Sequence, residues 1–573
     1  MNRLPIGFGL LLLFVHSVVA QEFDEPYEAW PEDLKINGQI MINHGLQDFD
    51  SARSYLRRST ANKKIIAFES LPSDVESESR LLLSELREGV SGEGSVTVIQ
   101  SDRPSVAILS AALESADVVS IGRIAGQTET LKELGAQFSQ FIDRGGILIA
   151  DSSWATCLGK CYFPSERSEA DIDGDVDDAV IVGMNLLPDC ILSCDSGRPP
   201  IDINLFQRLS DHAPVVDVSI APSTMLVLSG RKIFCFGQQT SFALPPTNEL
   251  EPRQESITER RSRAQAPWDS LVDLTEWRRD AIDRTMDPFP PAEPRKPFVK
   301  EGALLIVGGG GMPRGLMDRF VELAGGPENA KLVYVPCSES ESVGERQRTV
   351  QQWQAMGVRN ATFIHTKDRK LANEDDAFLE PLRDATGIWF GGGRQWNFAD
   401  SYYGTTAHKL MKEVVTRGGV IGGSSAGASI QARYLARATP IGNTRIMAPG
   451  YERGGLGFIS GVAIDQHFSQ RGRQKDMTQL MKRHPQLLGI GLDEATAIEV
   501  QESQAKVVGR GRVFFYNREI PVEEGQPDYT ALPAGSIYDL AKREVILDAS
   551  EEPDASEEPD ASEEPDDSEA SDD

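Results

Sequence analysis

The sequence predicts an α/β protein made of two tandem domains with mainly parallel sheets. Three observations carry this. Short apolar runs alternate with helically spaced apolar residues, first from Leu34 and again from Ala303. That is the pattern of buried strands joined by covering helices. A charged, proline-containing stretch separates the two series. The two series also match one another. Arg144-Gly145-Gly146-Ile147-Leu148-Ile149-Ala150-Asp151-Ser152 lines up with Arg417-Gly418-Gly419-Val420-Ile421-Gly422-Gly423-Ser424-Ser425, and Gly122-Arg123-Ile124-Ala125-Gly126-Gln127 with Gly391-Gly392-Gly393-Arg394-Gln395. Thr224 to Leu228 and Gly230 to Phe234 echo Thr496 to Val500 and Gly511 to Phe515. Ser152 to Thr224 is 72 residues and Ser425 to Thr496 is 71, as a duplicated unit requires.

Taken in order, residues 1–20 have a positive start at Arg3, an apolar run from Ile6 to Val15 and small residues before Gln21. This is the pattern of a secretory signal peptide, too short for a membrane span, so the mature chain is expected to be exported. The first α/β domain covers 32–247. Its strands are Ile40 to Ile42, Lys64 to Phe68, Asp117 to Ile121 and Gly146 to Ala150, with a helix over Leu131, Leu134, Phe138 and Phe141. Residues 248–298 read as a charged, proline-rich linker with one helix between Trp268 and Thr285. The second domain covers 299–547. Its strands are Leu304 to Val307, Leu332 to Val335, Thr362 to Ile364, Gly387 to Phe390 and the run before Ser425. Helices carry Met317, Phe320 and Leu323, then Leu410, Val414 and Val415, and Ile430 and Leu435 open another helical spacing. The run Gly308 to Gly311 lacks the Lys-Ser/Thr of a phosphate loop and reads as a tight turn beside a functional edge. Residues 548–573 repeat Asp-Ala-Ser-Glu-Glu-Pro and cannot bury a core, so disorder is expected.

The net charge is −29, and 14 of the acidic residues sit in that tail, so about half of the excess is there. The acidic balance argues against nucleic acid as a partner. No later apolar run is long enough for a membrane span. Of six cysteines, Cys157, Cys161, Cys190 and Cys194 form two CxxxC pairs. Export favours two disulfides clamping one loop over a zinc site. Cys235 and Cys337 read as buried thiols. No cofactor and no metal are expected.

The stretch with chemistry in it is Gly422-Gly423-Ser424-Ser425-Ala426-Gly427-Ala428. A small hydroxyl residue where a strand turns sharply into a helix, with glycines on both sides, meets the mechanical demands of a nucleophile elbow. The same pattern also suits a strand–helix turn that packs closely or cradles an anion. A serine nucleophile needs a base and a group to orient it. His365 and His484 sit beside basic residues and read as surface positions, and His408 lies on a helix. His467 follows the apolar Val462 to Ile464, at a strand end, where an open α/β sheet places functional groups. Leu488 to Leu492 then delivers Asp493 and Glu494 to another strand end. Glu494 can orient the imidazole; the alternative is a polar turn.

Together, Gly423-Ser424-Ser425-Ala426-Gly427-Ala428, Asp465-Gln466-His467-Phe468-x-x-Arg471-x-Arg473 and Gly489-Ile490-Gly491-Leu492-Asp493-Glu494-Ala495-Thr496-Ala497 resemble the cyanophycinase and dipeptidase E family of serine peptidases. The resemblance covers residues 303 to about 517 and is nearer to cyanophycinase. It implies a flavodoxin-like fold of the class I glutamine amidotransferase kind. It implies Ser425 as nucleophile, His467 as general base and then acid, and Glu494 as its orienter. Gly391 to Gln395 is similar to the family's Gly-Gly-Asp-Gln turn, which implies an oxyanion hole from Gly392 or Gly393 with Ala426, although Gly-Arg stands here in place of one Asp. The resemblance further implies that Gln395, Asp465, Gln466, Arg471 and Arg473 line the substrate site. The arginines would clamp carboxylates and Asp465 would hold a substrate cation; the bland alternative for Arg471 and Arg473 is a solvated basic face.

The first half fails the same test. Ala150 and Trp154 flank Ser152 where Gly423 and Gly427 would be, the histidine's place falls on Cys194, and the glutamate's on Pro222. This half is expected to be degenerate, serving as scaffold, substrate platform or the surface of a homodimer. The expected function is an exported serine hydrolase that cuts peptide or isopeptide bonds beside aspartate, as cyanophycinase does in releasing β-aspartyl-arginine. The alternatives are an α-aspartyl or isoaspartyl dipeptidase with the same triad and a non-catalytic envelope protein that binds peptide or carbohydrate.

Overall fold

The computed structural model describes residues 34, 36–45, 50–69, 78–90, 93–101, 104–122, 128–162, 181–194, 215–247, 250–259, 270–442, 445–522 and 524–550. The expected signal segment and all but the first residues of the acidic tail lie outside the described residues. Among the described residues, no helix is long and apolar enough to cross a membrane.

Residues 299–547 build two sheets. The nine-stranded one runs Asn360–Phe363, Lys331–Val335, Gly387–Phe390, Val420–Ser424, Val299–Val307, Thr496–Glu502, Gln504–Gly509, Ile537–Asp539 and Glu544–Leu547. Its first five strands are parallel and the rest antiparallel. Val420–Ser424 is buried over its first four residues, as a near-continuous apolar run covered on both faces should be. Helices Leu316–Leu323 and Thr406–Thr416 pack apolar faces onto this sheet, and Phe320 lies against both Trp353 and Trp389. The five-stranded sheet runs Ala432–Tyr434, Ile459–Gln466, Leu488–Leu492, Arg512–Asn517 and Thr530–Pro533, the first three parallel.

Residues 39–273 also build two sheets, of similar strand order. Their eight-stranded sheet runs Ser95–Gln100, Lys64–Glu69, Val118–Ile121, Ile147–Asp151, Gln39–His44, Thr224–Ser229, Lys232–Gly237 and Val272–Asp273. A second sheet runs Ile181–Val182, Cys161–Tyr162, Cys190–Ser193, Val216–Ile220, Thr240–Leu244 and Arg253–Ile257. Gln39–His44 lies between a parallel and an antiparallel neighbour, as Val299–Val307 does. Thr224–Ser229 takes the place of Thr496–Glu502. The second part of that sequence echo does not hold in the sheets. Lys232–Gly237 corresponds in the sheet order to Gln504–Gly509, whereas Arg512–Asn517 belongs to the smaller sheet and matches Thr240–Leu244. Both segments are apolar strands after a glycine turn, which is why the letters alone aligned them.

Three further expectations change. The elbow helix is a single turn, Ala426–Ser429, and the chain then enters the strand Ala432–Tyr434, so Ile430 and Leu435 are not on a helix. His484 and His365 are half-buried, one against Tyr434 and the other with Nε2 2.7 Å from the Ser340 carbonyl oxygen. Residues 248–298 are not a free linker. Arg253–Ile257 and Val272–Asp273 add strands to the first half's sheets. Asp273 caps the helix Leu274–Asp283 by accepting from the Glu276 N–H, and that helix buries Trp277, Arg279 and Asp280 as well as its apolar residues. Cys161–Tyr162 pairs with Cys190–Ser193, so the two CxxxC segments lie side by side, but the Cys161 side chain lies outside the described residues and the two-bridge expectation with it.

The helix Leu274–Asp283 is also where the halves meet. Gly450, with φ of 81°, passes so close that a Cβ there would lie 2.2 Å from the Glu276 carbonyl oxygen and 2.9 Å from the Asp280 nitrogen. Both neighbours are backbone and neither can rotate away. Gly450→Ala is therefore expected to destabilise the protein by about 1–3 kcal/mol, an overpacking cost. Urea unfolding checks this, and an unchanged midpoint would show that the junction is soft.

Candidate active site

Three strand ends converge. Ser425 follows Val420–Ser424, His467 follows Ile459–Gln466, and Glu494 comes two residues after Leu488–Leu492. One stretch of backbone gathers them. The carbonyls of Val307, Gly308 and Gly309 accept, in succession, the N–H groups of Ser425 at 3.0 Å, His467 at 2.8 Å and Ala495 at 2.8 Å. Side chains would not fit at the glycines that end this stretch. A Cβ on Gly309 would lie 2.4 Å from the His467 ring and one on Gly310 2.3 Å from the Glu494 carboxyl carbon, and both residues have positive φ. The glycine run thus lies at the edge where a turn was read, but its packing against the histidine and glutamate had no signal in the sequence.

Ser425 has φ of 57° and ψ of −113°, a backbone geometry that non-glycine residues rarely hold and that costs on the order of 1–3 kcal/mol. It turns the hydroxyl toward the imidazole. The Ser425 O–H donates to His467 Nε2 over 2.9 Å, and His467 Nδ1–H donates to Glu494 Oε1 over 2.6 Å. Burial lowers the His467 pKa below its ordinary 6.5, the Glu494 hydrogen bond opposes this, and Arg471 and Arg473 lower it further. The imidazole is thus neutral near pH 7 and can accept the serine proton. Gln470 Oε1 fixes the Glu494 N–H at 2.9 Å, a contact the sequence did not signal. Asp493 takes the turn role instead, accepting from Ser469 N–H and Oγ–H and from Arg512 N–H.

Gly392 borders the serine. A Cβ built on it would sit 3.6 Å from the Ser425 Cβ. Ala426 begins the one-turn helix, so its N–H has no acceptor in a preceding turn. Gly393 packs on Cys337 beneath the turn, and burial pushes that thiol up to about 12. Arg394 donates to the carbonyls of Thr439, Pro440 and Gly442.

The expected substrate residues need correction. Asp465 is fully buried, and its two oxygens already receive Arg437 and Arg473 at 2.8 and 2.9 Å. Arg437, absent from the sequence reading, also reaches Asp476 at 2.8 Å. Gln466 is buried beside Arg473, and the Gln395 amide donates to the Ala436 and Arg437 carbonyls. These contacts hold the four in place, since a buried charge is held only where it is paired. Of the five, Arg471 alone is exposed. His408, on its helix, is a core histidine that bonds the Leu456 carbonyl and the Gly404 N–H, with burial lowering its pKa to about 3.

Residues 304–508 match the family model described as Peptidase family S51. The cyanophycinase of Geminocystis herdmanii is 29% identical over 222 residues, which is 38% of this chain and 81% of that protein. The cyanophycinase of Trichormus variabilis is 27% identical over 227 residues, 39% of this chain and 75% of that protein. The crystal structure of a peptidase from an acI-B1 actinobacterium aligns with a TM-score of 0.31 at 23% identity, over 43% of this chain and 98% of that one.

The electrostatics fix a pH dependence. With the imidazole pKa depressed, kcat/KM rises with pH through a midpoint below 6.5 as His467 loses its proton. Arg471→Ala removes a positive charge that opposes protonation, so the acidic limb is expected to move to higher pH. A limb that stays in place or moves down would show that Arg471 does not act on the imidazole.

Proposed function

We infer that this serine-type peptidase, with residues 304–508 of family S51, hydrolyses peptide or isopeptide bonds beside aspartate through an acyl-enzyme on Ser425. The observation that carries the mechanism is the unbroken chain of hydrogen bonds from Ser425 through His467 to Glu494. His467 takes the serine proton as Oγ attacks the carbonyl carbon. Glu494 stabilises the imidazolium that forms. The N–H groups of Ala426 and of Gly392 or Gly393 receive the oxyanion. His467 then protonates the leaving amine, and water attacks the acyl-enzyme by the reverse proton path. The substrate class is supported by relatives named cyanophycinase, which points to release of β-aspartyl-arginine from cyanophycin.

One observation favours a second reading of the substrate. Asp465, the carboxylate expected to hold a substrate guanidinium, is already occupied by Arg437 and Arg473. A smaller α-aspartyl or isoaspartyl dipeptide, lacking that arginine, needs no such carboxylate.

The chain is further read as a tandem pair of one architecture, similar to the class I glutamine amidotransferases, with the first copy inert. The matching strand orders support this. So do the residues at the equivalent strand ends: Ser152 follows Ile147–Asp151, Cys194 follows Cys190–Ser193, and Pro222 comes two residues after Val216–Ile220. Residues 1–20 direct export, with removal near Ala20, to a periplasm or beyond the cell.

Ser425→Ala is expected to cut turnover by at least ~10³-fold, whereas Ser152→Ala leaves it within about twofold, since substitutions remote from the reacting atoms cost little. Residues 21–573 and both variants are incubated with insoluble cyanophycin and with a panel of aspartyl and isoaspartyl dipeptides, and products are read by mass spectrometry. Release of β-Asp-Arg by all but Ser425→Ala supports the polymer, and cleavage of dipeptides alone moves the substrate to the second reading. Retained activity in Ser425→Ala would sink the mechanism.

A further inference from the structure

The turn bearing Gly392 and Gly393 runs into the helix Trp396–Tyr402, every residue of which is buried. Near its end stands Asp400. This carboxylate, 1% exposed, receives Arg231 Nη1 at 2.5 Å and Arg279 Nη1, and the Tyr451 O–H donates to it at 2.9 Å. Neither arginine belongs to the half of the chain that carries the triad. Arg231 sits on the turn between Thr224–Ser229 and Lys232–Gly237, and Arg279 on the helix Leu274–Asp283. Arg231 is itself fixed by Asp273 at 2.6 and 2.9 Å, and its guanidinium lies 5.0 Å from the centre of the Trp396 ring, at the start of the same helix. The clamp therefore grips the helix at both ends.

A second tether reaches the same turn from its other side. Arg394 and Gln395 hold the carbonyls of Ala436, Arg437 and Thr439. The Thr439 O–H in turn donates to Glu276 Oε2 at 2.7 Å, and the other Glu276 oxygen receives Arg253 at 2.6 Å. Gln395, Thr439 and Glu276 are buried, and a buried polar or charged group is held where its partner stands.

We propose that the first half of the chain is a positioning element for the oxyanion turn, acting through Arg231 and Arg279 on Asp400 and through Glu276 on Thr439. This rests on the reading of Ser425 as the nucleophile of a serine peptidase. The N–H groups of Gly392 and Gly393 can meet a developing oxyanion only if the turn is held to within a fraction of an ångström. The segment that supplies those N–H groups lies within residues 304–508, and three of the residues that fix it lie before them: Arg231, Glu276 and Arg279.

The test uses the full mature chain with Thr439→Val, Thr439→Ser and Arg231→Lys. Thr439→Val keeps the shape and removes the hydroxyl that donates to Glu276; Arg231→Lys keeps the charge and removes the fork. The readouts are the rate of Ser425 labelling by a fluorophosphonate, kcat and KM on the best aspartyl peptide, and thermal unfolding. Thr439→Val and Arg231→Lys are expected to slow labelling and lower kcat by about 10-fold to 100-fold, as displacement by about an ångström does. KM stays within about twofold, unfolding lies well above the assay temperature, and Thr439→Ser restores the rate. If Arg231→Lys does not fold, the Thr439 pair decides. Labelling and kcat in Thr439→Val equal to wild type would overturn the proposal, as would an equal loss in Thr439→Ser. Wild type that is neither labelled nor active would instead fail the serine-peptidase reading, and this proposal would go with it.

Discussion

Three consecutive carbonyls at the end of Val299–Val307 hold the site together. Each takes one N–H from the segments that carry Ser425, His467 and Glu494. Backbone hydrogen bonds are short and directional, so the three segments have a single relative register. The side-chain geometry follows from it. The same demand explains why Gly309 and Gly310 have no side chains, since imidazole and carboxylate fill that space. It also explains why the two sheets meet here at the ends of their strands. The serine comes from the larger sheet and its partners from the smaller, and the bonds to Gly308 and Gly309 bridge them.

Much of this was legible in the sequence because it depends on local order. The strands before Ser425 and His467 are continuous apolar runs, and their ends are marked by polar or glycine residues. The likeness of the two strand orders was visible for the same reason. Counting from Ser152 placed Cys194 and Pro222 at the strand ends where His467 and Glu494 stand in the other half. What failed were inferences about which partner a charged side chain finds. Asp465 and Arg473 lie eight residues apart and read as substrate contacts, yet they pair with one another, and Asp465 also pairs with Arg437. A sequence marks a charge but not its counter-charge, and burial makes the pairing obligatory. The residues 248–298 misled in the same way. Their arginines and acids look solvated, whereas Arg279 is 0% exposed and Asp280 is 3% exposed.

The two halves also differ in what their equivalent turns are asked to do. In the second half the strained Ser425 backbone is held by the Val307 carbonyl and faces an imidazole. In the first, Trp154 is buried beside the corresponding turn, and no glycine separates it from Ser152. Filling that space suits a turn whose task is packing. The surface kept for contact lies elsewhere, at the turn holding Arg231 and on the helix Leu274–Asp283.

The Asp400 cluster has a consequence for modularity. Two guanidiniums and one carboxylate are buried together across the boundary between the halves. A fragment beginning at residue 299 inherits the carboxylate without either cation, and Thr439 without its acceptor. A fragment ending before it inherits both cations with Asp273 as the counter-ion to Arg231. Each piece would have to hydrate what the whole chain keeps dry. The strand orders are alike, but at this cluster the unit that balances its buried charge is the two halves together.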